Sequence, residues 1–214
     1  MTVLHRLLDF VSPSRDDDST SPALSRTQRV FFASVAMLAA LALGAVWGVA
    51  AGSHDHHIAL DNIGKVPVLL VGSSLVALPV ALLVFKLLAK RGRATDLVLA
   101  HALGLFAGCL ALALLSPLVA LYQYSSSFAG MPVAVGTALL AIAIVVGIVI
   151  RVLHKLAPQG AISTYAVPVA LLLTLQIAAL AQFASITTPV FPTRTPLGRG
   201  VDGLVHSSPA PEAP

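Results

Sequence analysis

The densest group of chemically capable side chains in this 214-residue sequence is Ser53-His54-Asp55-His56-His57, with Asp61 one helical turn beyond His57. Imidazoles and a carboxylate this close could bind zinc or copper, or titrate together as a pH sensor. His54, His56, His57 and Asp61 are therefore the candidate metal ligands, set against the plainer reading of a short polar loop rich in histidine. No second ligand cluster accompanies them, and structural zinc sites normally gather four ligands. His101 and Cys109, the only cysteine, are the candidate signal-sensing residues. Both fall within long apolar runs, where an ionisable side chain is a functional candidate by default. The competing readings are a snorkelling or helix-bridging histidine near Asp96 and a small packing cysteine. Gln176 and Gln182 are expected to hydrogen-bond to neighbouring helices.

Other chemistry is missing from the sequence. It has no glycine-rich phosphate loop, no HExxH and no nucleophile elbow. No catalytic pair of carboxylates or serine–histidine couple stands out. The expectation is a protein that is not an enzyme and carries no cofactor.

Composition says what must hold these residues in place. Hydrophobic residues make up 57% of the chain, charged residues only 10%, and the mean hydropathy is +0.91. A soluble domain of ordinary composition has about a quarter charged residues. A soluble enzyme, a nucleic-acid-binding domain and a disordered chain are thus all disfavoured. Crossing about 30 Å of hydrocarbon takes roughly 20 apolar residues per helix. Five stretches qualify: Val30–Ala51, Val66–Leu88, Leu97–Tyr122, Met131–Ile150 and Thr164–Ile186. None contains Asp or Glu, so the usual carriers of proton coupling are absent from the spans. The expected fold is an all-α integral membrane protein, a five-helix transmembrane bundle over 30–186.

Basic residues orient the bundle. Ten of the thirteen Lys/Arg lie in the N-terminal tail and in the second-to-third and fourth-to-fifth connections. By the positive-inside rule the N-terminus is cytoplasmic and the C-terminus external. The first span is read as a retained anchor, because its 29-residue polar leader and 22-residue apolar run are too long for a cleaved signal peptide.

Helices in lipid associate through small residues that let backbones approach. The first span has Ala36, Ala40, Gly44, Gly48 and Gly52 at four-residue spacing; the third has Ala100, Gly104 and Gly108; the fourth has Ala143 and Gly147. Intramolecular packing is the expected use, with homodimerisation through the first helix as the alternative. Pro67, Pro132 and Pro168 are placed in opening turns, and Pro79 and Pro117 deeper, where they should kink their helices.

Two segments lie outside the bundle. Residues 1–29 form a cytoplasmic tail in which Val3, Leu4, Leu7, Leu8 and Val11 recur at helical spacing, followed by an acidic, serine-rich linker. A helix this short is marginal in water and should order only on a surface, either the lipid bilayer or a groove on a cytosolic partner. Residues 187–214 form a proline-rich external tail, expected to be disordered.

The five-span layout, with the run Lys65-Val66-Pro67-Val68-Leu69-Leu70 and Leu78-Pro79, resembles bacterial Yip1-like membrane proteins over about 25 residues. The small soluble mass, the amphipathic Val3–Val11 and the basic Lys90–Arg93 loop resemble the polytopic membrane anti-sigma factors of light-induced carotenogenesis (CarR-like). That resemblance implies a negative regulator in the bacterial inner membrane, with a cytosolic sigma factor as partner and no direct contact with nucleic acid. Val3, Leu4, Leu7, Leu8 and Val11 would hold the partner until light or an oxidant releases it, in control of carotenoid genes. The alternative from the residues alone is a small transporter or metal-responsive membrane protein using the external histidines.

Overall fold

The computed structural model describes residues 25–88, 93–125, 129–156 and 162–186, and every regular element among them is an α-helix. These are α1 (Arg26–Ala51), α2 (His56–Leu88), α3 (Ala94–Ser125), α4 (Gly130–Leu156) and α5 (Ile162–Ile186). All five are long and apolar enough to cross a membrane, so the chain is a multi-pass membrane protein. The amphipathic segment Val3–Val11, the acidic linker and the C-terminal tail lie outside the described residues.

The helices outrun their apolar stretches because polar residues cap them beyond those stretches. Ser25 opens α1 with a capping box. Its hydroxyl accepts from the Gln28 N–H at 3.2 Å, and the Gln28 side chain accepts from the Ser25 N–H at 3.0 Å. The Asp55 carboxylate likewise accepts from the His57 N–H at 2.9 Å, so α2 begins at His56, well before Val66. Two expectations change in consequence. Pro67 and Pro168 lie inside α2 and α5 and not in their opening turns, while Pro132 remains in the first turn of α4. Pro79 and Pro117 are interior too, each removing one helical hydrogen bond.

Short connections force neighbouring helices to run antiparallel. α3 packs between α1 and α4, α1 also carries α2, and α2 carries α5; lighter contacts join α2 to α3 and α4 to α5. α3 is the centre. Two-thirds of its apolar window is buried, against a third or less in each of the others, and Ala100–Cys109 are buried without a break. One hydrophobic cluster joins Phe32, Phe85, Leu97, Phe106, Val149 and Leu172 in one half of the bundle. A smaller one joins Trp47, Ala51, Val66, Val119 and Ala134 in the other. Outward, Leu38, Val68, Leu75, Leu83, Leu114 and Leu139 are each 60% or more exposed, an apolar surface suited to lipid.

Small residues set the helix separations. Ala36 and Ala40 are buried, and Gly44, Gly48 and Gly52 face α2. A β-carbon on Gly48 would stand 2.8 Å from the Asn62 carbonyl oxygen, and one on Gly108 would stand 2.6 Å from the Val145 side chain on α4. Gly104 meets α4 in the same way. The ridge on α1 is thus used for packing within the chain. Ala143 and Gly147 depart from the expectation of intramolecular packing. Both are exposed on the outer side of α4, and a β-carbon on Gly147 would meet nothing within 4 Å.

These contacts predict opposite outcomes for the same substitution. Gly108→Leu should destabilise the bundle by about 2 kcal/mol or more, as overpacking of a dense interior does. Gly147→Leu should stay within about 0.5 kcal/mol of the parent. Unfolding in mixed micelles, followed by circular dichroism, measures both.

Candidate functional site

One end of the bundle is built from the first turns of α1, α3 and α5 and the last turn of α2. Arg29 in α1 and Asp96 in α3 meet there because both helices start at this end. The Arg29 guanidinium donates through Nη1 to Asp96 Oδ1 in an ion pair whose side chains are 7% and 3% exposed. Asp96 stands in the opening turn of α3, where the helix dipole also favours a carboxylate. Tyr165 of α5 is buried close to this pair, its ring 5.1 Å from that of Phe85 in α2. Among the described residues, Arg26, Arg29, Lys86, Arg93, Arg151 and Lys155 lie at this end and only Lys65 at the other.

Deeper in the bundle, a polar cluster joins three helices. His101 of α3 is fully buried, and its Nε2 lies 3.3 Å from Ser74 Oγ on α2. Gln176 of α5 donates through Nε2 to Ser73 Oγ at 3.3 Å and to Ser74 Oγ at 3.2 Å. Ser73 Oγ in turn donates to the Leu70 carbonyl at 3.1 Å. Two atoms of the cluster, His101 Nδ1 and Gln176 Oε1, have no hydrogen-bond partner among the described residues. An unpaired polar atom in a dry interior costs about 1–3 kcal/mol, so this cluster carries strain that a purely apolar junction would avoid.

The opposite end is fastened by neutral hydrogen bonds. Asn62 Nδ2 donates to the Gly48 carbonyl at 3.0 Å where α2 crosses α1. Trp47 Nε1 donates to Thr137 Oγ1 at 3.2 Å, and that hydroxyl donates to the Ala134 carbonyl at 2.8 Å, joining α1 to α4.

The residues singled out in the sequence separate into distinct places. His54, His56 and His57 are exposed at the α1–α2 connection, with the His56 and His57 rings 6.4 Å apart. Asp55 is committed to capping α2, and Asp61 pairs with Lys65 at 3.1 Å. Among the described residues no three His, Cys, Asp or Glu side chains come together to hold a metal, so His54, His56, His57 and Asp61 do not assemble the candidate centre, and the arrangement is that of the plainer reading, a polar connection rich in histidine. The cause is local: both carboxylates already have partners, and consecutive residues at a helix start point their rings apart. His101 bridges helices and does not snorkel. Cys109 is a buried thiol whose Sγ faces Gly44 of α1. The candidate partner-binding residues Val3, Leu4, Leu7, Leu8 and Val11 lie outside the described residues.

Sequence reasoning missed the Arg29–Asp96 pair because each residue stands one position outside an apolar run, at Val30 and Leu97. It also passed over Ser73-Ser74, although two hydroxyls in mid-span mark a place where another helix should supply a partner.

No protein-family model, curated protein or solved structure matches this chain.

Removing one member of the buried ion pair leaves an uncompensated charge, so Arg29→Ala and Asp96→Ala should each lower stability by about 3–5 kcal/mol. The double variant Arg29→Met/Asp96→Leu, which replaces both charges with apolar groups, should recover most of that loss. Thermal unfolding of the purified proteins in one detergent compares the three.

Proposed function

We propose that this chain is a negative regulator in the bacterial inner membrane that holds a cytosolic protein, in the manner of the anti-sigma factors it resembles. The observation that carries the reading is the placing of the buried Arg29–Asp96 pair. It fastens α1 to the central helix four residues after Ser25, where the N-terminal segment enters the bundle. A displacement of α3 is therefore transmitted to the root of that segment. The basic end of the bundle supports a cytoplasmic N-terminus by the positive-inside rule. With an odd number of crossings, the C-terminal tail is then external.

Under this reading Val3, Leu4, Leu7, Leu8 and Val11 hold the partner, with a sigma factor as the expected class, and the membrane domain keeps it from its target. A light-driven or oxidative signal reaches the bundle through lipid. Cys109 is buried, so only an oxidant that partitions into lipid would reach it, and its oxidation would add bulk and polarity where α3 lies against Gly44 of α1. The activity needs no cofactor and no contact with nucleic acid. The alternative, a small transporter or metal-responsive membrane protein, would use the exposed His54, His56 and His57, which are not gathered into a metal-holding group among the described residues.

Two measurements test the proposal. In a Cys109→Ala background, a cysteine introduced at Ser19 should react with a membrane-impermeant maleimide only after cells are lysed. Labelling in intact spheroplasts would place the segment outside and end the proposal. Deleting residues 2–11 should raise transcription from the partner's promoters several-fold while the membrane domain still accumulates; an unchanged transcript profile would remove the partner-holding role.

A further inference from the structure

We propose that His101, Ser74 and Gln176 form a proton-operated switch at the junction of α2, α3 and α5. The direction of the hydrogen bonds in this cluster follows from its donors and acceptors. Gln176 Nε2 is only a donor, so Ser74 Oγ accepts from it at 3.2 Å. The Ser74 hydroxyl hydrogen then has one acceptor among its described partners, His101 Nε2 at 3.3 Å. In the proposed resting state Nε2 accepts that hydrogen, and the neutral ring carries its proton on Nδ1. That N–H has no acceptor among the described residues, and Gln176 Oε1 has no donor. The resting cluster holds one idle donor and one idle acceptor, at opposite ends of a single chain of hydrogen bonds.

Adding a proton to His101 reverses the chain. Both ring nitrogens become donors, Ser74 Oγ must accept from Nε2, and the hydroxyl hydrogen needs a new acceptor. Rotating the Gln176 amide by half a turn supplies one. Oε1 then accepts from Ser74, and a carbonyl dipole points toward the new charge. The same rotation withdraws Nε2 from Ser73, releasing one of the bonds that seat α5 on α2.

The setting makes the proton the dominant variable. The ring's hydrogen-bonding neighbour among the described residues is Ser74 alone. The other ionisable groups on the packed helices are committed or remote. Asp96 and Arg29 pair with each other, Tyr165 lies three turns toward the basic end of α5, and Cys109 lies two turns along α3. Lys86 of α2 and Arg151 of α4 stand near the ends of their helices. His101 itself is seven residues in from the start of α3, about 10 Å below the basic end. This inference concerns the bundle and stands whether or not the N-terminal segment holds a partner.

Solid-state NMR of histidine-labelled protein in phosphatidylcholine–phosphatidylglycerol bilayers tests it. The other six histidines are replaced by glutamine so that His101 alone is read. At pH 8 the ring should show the Nδ1–H tautomer. On acidification it should convert to the doubly protonated ring, together with a change in the Gln176 side-chain amide signal. In Gln176→Leu, half-conversion should require at least tenfold more acid, because the carbonyl acceptor is gone. An Nε2–H ring at pH 8, no conversion down to pH 4, or a Gln176→Leu protein that converts like its parent would each overturn the switch.

Discussion

Inside a bilayer no water competes for a buried polar group, so each one must find its partner within the protein or remain unpaired. That constraint orders this bundle. Apolar side chains tolerate many rotations of one helix against another, since lipid and leucine are alike to them. Arg29 with Asp96, His101 with Ser74, and Gln176 with both serines admit far fewer. Trp47 with Thr137 and Asn62 with the Gly48 carbonyl do the same at the other end. The glycines let backbones approach, and the polar contacts decide which approach is made.

Much of the fold was legible because hydrocarbon thickness leaves a plain mark on sequence. Five apolar runs gave five helices, and the small-residue ridge on α1 proved to be a packing face. Helix ends were less legible. Ser25 and Asp55 cap helices outside the apolar runs, and a reading based on hydropathy stops where leucine stops. Ala143 and Gly147 illustrate a second limit. A small-residue motif records that a close approach is sterically allowed, and it carries no information about whether a neighbour takes the place.

The candidate site was legible only in its separate members. His101 and Gln176 each announced themselves as polar residues in apolar surroundings, yet nothing in their spacing says that they share Ser74. They lie 75 residues apart, on two helices that each contact α2. The histidine cluster is the opposite case. Proximity in sequence suggested a shared ligand, whereas a helix start turns successive side chains away from one another and claims the nearest carboxylate for its own N–H groups.

Position along α3 connects these parts. Asp96 holds α1, His101 reaches α2 and through it α5, Gly104 and Gly108 admit α4, and Cys109 returns to α1. Fourteen residues of one helix thus touch α1, α2 and α4 and reach α5 through Ser74. A rotation or shift of α3 cannot be absorbed locally, because the glycine contacts are too close to give and the polar contacts are directional. Such a helix is poorly placed for a passive spacer and well placed for a transmitter, since a change at any one contact strains the rest. The contact of α3 nearest the chain's N-terminal segment is the Arg29–Asp96 pair, so under the proposed function α1 is where a disturbance of α3 would leave the membrane.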